Sequence, residues 1–129
     1  MLSSLISRGS AFVLLLGGLA LLFAPDAVLP AVVPGFPPAG AWVGQLLAAA
    51  WLGMAAMNWL QRSARLGGIY GRPNVFANLT LHFVSALSMI RTLADGSASP
   101  LLWGATAVFA ALALAYGALL MRGPFDPPG

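Results

Sequence analysis

Residues 75–93 read VFANLTLHFVSALSMIRTL, and the fold turns on how that run is placed. As a helix it rises about 28 Å, close to the roughly 30 Å hydrocarbon core of a bilayer. At about 100° per residue, Asn78, His82, Ser85, Ser88 and Thr92 fall on one side, with Asn74 just ahead of them. Phe76, Leu79, Phe83, Leu87 and Ile90 fall on the other. Inside a bilayer, a polar face turns towards neighbouring helices, cavities or cofactors, and an apolar face meets lipid or an apolar partner. The run therefore reads as a transmembrane helix with a polar stripe.

Its surroundings agree. Of 129 residues, 60% are AVILMFWYC and 7% are charged, with a mean hydropathy of +0.89. A soluble domain carries about 25% charged residues. There is no Lys and no Glu, and the charges are Arg8, Arg62, Arg65, Arg72, Arg91 and Arg122 against Asp26, Asp95 and Asp126. That is too little to solvate a globular surface but enough for the loops of a membrane bundle. Apolar runs at 41–60 and 101–121 have spanning length. The first run is clean only over 11–24, and reaches length as 5–24 if Ser7, Gly9 and Ser10 are included and Arg8 snorkels to the surface. It reads as a retained helix rather than a signal peptide, because no clean A-x-A cleavage site follows.

The expected fold class is all-α: an integral membrane bundle of four transmembrane helices in a single domain, 1–129, with both termini in the cytoplasm. Pro25, Pro30, Pro34, Pro37 and Pro38 forbid a continuous helix between the first two spans, and the apolar stretch 27–33 places that linker along the interface. The Pro-rich tail 123–129 reads as disordered. Arg62, Arg65 and Arg72 crowd the second linker, whereas the first has only Asp26 and the third only Asp95. The positive-inside rule makes the second linker cytoplasmic, and puts Arg8 and Arg122 on the same side. These arginines set topology and touch lipid headgroups, so the pI of 10.7 does not imply nucleic acid. Trp42 and Trp103 then fall at the outer boundary, and Trp59, Tyr70 and Tyr116 towards the inner one.

His82 lies about 12 Å past Asn74 along the helix. As a proton relay it lacks an intramembrane carboxylate partner; as a haem or metal ligand it needs a second ligand from another chain, since it is the only His. A chlorophyll-type pigment needs just one axial ligand. The plainer reading is an imidazole hydrogen-bonded to a neighbouring helix. Arg91 and Asp95 are spaced as a helix-end ion pair, with a substrate-anion site as the sharper alternative. Asn58, near the inner end of its span, lies at the depth of Asn78 and within reach of an interhelical hydrogen bond. Ala107, Ala111, Ala115 and Ala118 make one face of the last span small enough for close helix approach.

Catalytic patterns are lacking. Gly67, Gly68 and Gly71 follow no strand and lack the lysine of a phosphate loop. With no Cys, no carboxylate inside a span and a single His, most enzyme mechanisms lack their groups. The segment Ala56-Met57-Asn58-Trp59-Leu60, the basic loop after it, and Asn78-Leu79-x-x-His82 resemble a pattern in small, uncharacterised bacterial four-helix membrane proteins. The resemblance covers about residues 45–90 and implies a fold and no activity. The chain's size is similar to that of the small multidrug resistance transporters, but its first span lacks their acidic residue. The expected role is an accessory or structural subunit of a larger bacterial inner-membrane complex, with lipids and other membrane subunits as partners. A small transporter or lipophile-binding protein is the alternative.

Overall fold

The structure is a computed structural model and describes residues 2–64, 66, 69–96 and 99–122. It is all-α among the described residues: α1 (Leu2–Phe23), α2 (Pro25–Val32), α3 (Ala41–Leu60), α4 (Arg72–Ala94) and α5 (Pro100–Arg122), with a 3-10 turn at Pro38–Gly40 before α3. Arg65 and the tail 123–129, read above as a topology determinant and as disordered, lie outside the described residues. Among the described residues, three helical stretches are long and apolar enough to cross a membrane: Leu2–Phe23, Pro38–Leu60 and Pro100–Arg122. α4 matches them in length at 23 residues, but its polar stripe lowers its apolarity.

Prolines and a glycine set the boundaries. Pro25 cannot donate a backbone hydrogen bond, so α1 stops at Phe23 and the chain restarts as α2, where the missing N–H falls in a first turn that has no use for it. The eight-residue α2 is a separate short helix, so the linker is not one continuous helix, as its prolines require, and it even carries Pro30 inside it. Leu29 of α2 seats against Gly44 of α3, where a Cβ would come within 2.9 Å of the leucine side chain. α4 opens at Arg72, three residues before its apolar run begins, with Pro73 again in the first turn. Just beyond the end of α4, Gly96 takes φ +100°, a left-handed conformation that favours glycine.

The long helices associate as two pairs, α1 with α3 and α4 with α5, and contact between the pairs is much sparser. Gln45, near the start of α3, donates to the Leu22 carbonyl near the end of α1, and Ser7 near the start of α1 donates to the Asn58 carbonyl near the end of α3. The first pair is therefore antiparallel. Close approach within it depends on Gly17 and Gly18, where an added Cβ would lie 2.8 Å from the Trp51 ring and 2.9 Å from Leu52. On α1 the buried positions include Ser3, Ser7, Ser10, Leu14, Gly18 and Leu21, spaced by three or four residues as in a helix seam. One apolar cluster joins Leu14, Ala55, Ala86 and Phe109 across all four long helices. A second gathers Leu66, Val75, Tyr116 and Leu119.

Candidate functional site

A buried polar joint forms where the two helix pairs meet. Asn58 of α3 and Asn78 of α4 exchange side-chain amide hydrogen bonds in both directions, each 2.7 Å. Both are fully buried, so this reciprocal pair satisfies donors and acceptors that hydrocarbon could not. The Asn78 amide also donates to the Asn74 side chain at 2.8 Å and to its carbonyl at 3.0 Å, one turn earlier. From α1, Ser10 accepts from Asn58 at 3.1 Å and lies 3.4 Å from the Asn78 side-chain oxygen. Ser7 Oγ donates to the Asn58 carbonyl at 2.6 Å. Three helices thus meet through hydrogen-bonded side chains at one level.

His82 closes the joint, one turn from Asn78. Its Nδ1 is 2.7 Å from the Asn78 carbonyl; a carbonyl only accepts, so Nδ1 carries the hydrogen. Nε2 sits 3.5 Å from Ser10 Oγ. The short bond is therefore within its own helix, and the longer contact reaches Ser10 on the neighbouring α1. Tyr116 of α5 stacks on the imidazole at 5.6 Å and 13°, and Phe109 lies 5.2 Å from it. With both ring nitrogens engaged, aromatic rings against it and no solvent exposure, the imidazole offers a haem or pigment macrocycle no approach. The geometry is that of a packed, hydrogen-bonded residue, the plainer of the readings that the sequence leaves open.

The rest of the expected stripe diverges. Asn74 is buried, Ser85 half-buried, Thr92 half-buried and Ser88 exposed, with Thr92 Oγ1 returning to the Ser88 carbonyl. Only the N-terminal half of the stripe faces the other helices; Phe76, Phe83 and Leu87 on the opposite side are exposed as expected. Arg91 and Asp95 form no ion pair. They meet only through the backbone, the Asp95 N–H donating to the Arg91 carbonyl at 3.0 Å. An acidic residue at a helix C-terminus, four residues after its cation, has both the dipole and the pair orientation against it. Arg72 is exposed at the start of α4, and Arg62 lies across Trp59 with its Cζ 4.5 Å from the ring centroid.

Two features escape a reading of residue type. Ser7 and Ser10 look like small residues that merely lengthen the first span, yet they supply its polar contacts; the signal was their spacing with Ser3 and Leu14. Tyr116 looks like a boundary aromatic and is instead fully buried on His82. Its hydroxyl turns towards Ser10 without completing a hydrogen bond among the described residues, and the Asn74 amide nitrogen and Trp51 Nε1 are likewise buried without a partner. Comparison with protein-family profiles, curated protein sequences and solved structures finds no match for this chain.

Proposed function

We propose that this chain is a four-span protein of the bacterial inner membrane, with both termini in the cytoplasm, that works by lateral assembly as a structural or accessory subunit of a larger membrane complex. The observation that supports this reading best is the direction of its polar groups. Asn58, Asn74, Asn78 and His82 turn inward and engage one another or their own helices, sealed from outside. The outward faces carry Phe12, Leu16, Trp42, Leu46, Phe83 and Leu114, all exposed, which only lipid or another protein can cover. In such a surface, α4 crosses the membrane despite its stripe, because the other helices cover the polar half.

A small-residue strip on α5 marks one side for close approach. Ala107, Ala111 and Ala118 are exposed, and Gly104 has open space where a Cβ would project. Asn58, Asn78 and His82, which carry the resemblance to small bacterial four-helix proteins, are also the joint that holds the two helix pairs together. Their role is to fix the scaffold rather than to react. Mild detergent extraction of the native membrane is expected to recover the chain with larger partners in a fixed ratio. Recovery of the chain by itself, together with solute flux across liposomes that requires His82 or Arg91, would contradict the proposal in favour of transport.

A further inference from the structure

The outer face of the α1–α3 pair holds a groove of about 300 Å³ lined by Ala11, Phe12, Leu15, Leu52, Ala56 and Trp59. It lies away from the polar joint, between alanines that leave space and larger side chains that form its walls. From the level of Leu52 to that of Trp59 is about 10 Å of helix, and a groove of this volume over that length takes a stretch of hydrocarbon chain rather than a helix about 10 Å across. Phe12 and Trp59 meet edge to face at 5.8 Å at one end of it.

Charge collects beyond that ring pair. Because α1 and α3 are antiparallel, Arg8, one turn before Phe12, and Arg62, three residues after Trp59, lie on the same side of it. The Arg62 guanidinium is held over the Trp59 ring at 4.5 Å, and its Nη1 donates to the Trp59 carbonyl at 2.7 Å. A guanidinium has five N–H donors, so that bond positions it without exhausting it. Arg8 is exposed. Asp26 lies beyond the far end of α1 and Asp95 beyond the end of α4, so neither arginine meets a carboxylate among the described residues.

We propose that this groove and its two arginines bind one anionic phospholipid, an acyl chain lying along Ala11, Leu15, Leu52 and Ala56 and the phosphate meeting Arg8 and Arg62. A second copy of the chain is a poor occupant, because it brings the same positive mouth. The site rests on the membrane reading above but not on which end of the helices is cytoplasmic. The test is native mass spectrometry of the purified full chain with dioleoylphosphatidylglycerol or dioleoylphosphatidylcholine. One phosphatidylglycerol should be retained in preference to phosphatidylcholine, by roughly fivefold for each arginine engaged. The double substitution Arg8→Gln and Arg62→Gln should abolish the preference. Ala56→Phe, at an exposed groove position, should lose the retained lipid while keeping both arginines, and so decides the matter if the double variant fails to fold. Equal retention of the two lipids, or undiminished retention in Ala56→Phe, overturns the site. Recovery of the chain in the soluble fraction of cells would instead remove the membrane reading beneath it.

Discussion

At the scale of single residues, the Asn58–Asn78 exchange is the contact whose loss matters most. Removing one amide leaves the other buried and unpaired, which costs about 1–3 kcal/mol, whereas removing both together is far milder. Asn78→Leu is therefore expected to lower stability to denaturant in micelles by about that amount, and Asn58→Leu added to it should restore most of the loss. Additive damage from the two changes would contradict a paired role. His82→Phe should cost less than Asn78→Leu, because the ring still packs on Phe109 and Tyr116 and the carbonyl it leaves is a main-chain acceptor of its own helix. The amide pair was legible in the sequence, since both residues sit at matching depth in facing spans. The burial of Tyr116 was not, because an aromatic near a span's end reads equally as a boundary residue.

Among elements, the α1–α3 pair depends on backbone proximity that only glycine allows. Gly18→Val places side-chain carbons against Leu52 and is expected to destabilise the chain by about 1–3 kcal/mol through overpacking. Gly53→Ala, on the same helix pair but with open space around it, should change stability by less than about 0.5 kcal/mol. Equal effects of the two, read by the same unfolding assay, would mean that the close approach is not what holds the pair. The extents of α3 and α5 follow from uninterrupted apolar runs, and the structure extends α5 only by a residue at each end, to Pro100–Arg122. The short helix α2 was hidden because proline density signals a break without saying whether a turn of helix can form between breaks. The C-terminal half of the α4 stripe misled for a related reason: periodicity puts Ser88 on the same face as Asn78, but not the neighbour that would have to cover it.

On the scale of the whole molecule, the account stands on α4. The other long helices carry apolarity sufficient to cross a bilayer by themselves; α4 does so only if α1, α3 and α5 shield Asn74, Asn78 and His82. Its ends make the question measurable. Tyr70 lies just before it and is 98% exposed, Asp95 lies just after it and is exposed, and the chain has no native cysteine to confuse a label. Tyr70→Cys and Asp95→Cys are each placed in the chain and treated in intact cells with a membrane-impermeant maleimide, before and after permeabilisation. A crossing α4 predicts that position 95 is labelled in intact cells and position 70 only once the cytoplasm is opened. Labelling of both positions from the same face would place α4 along the membrane surface and contradict the four-span account.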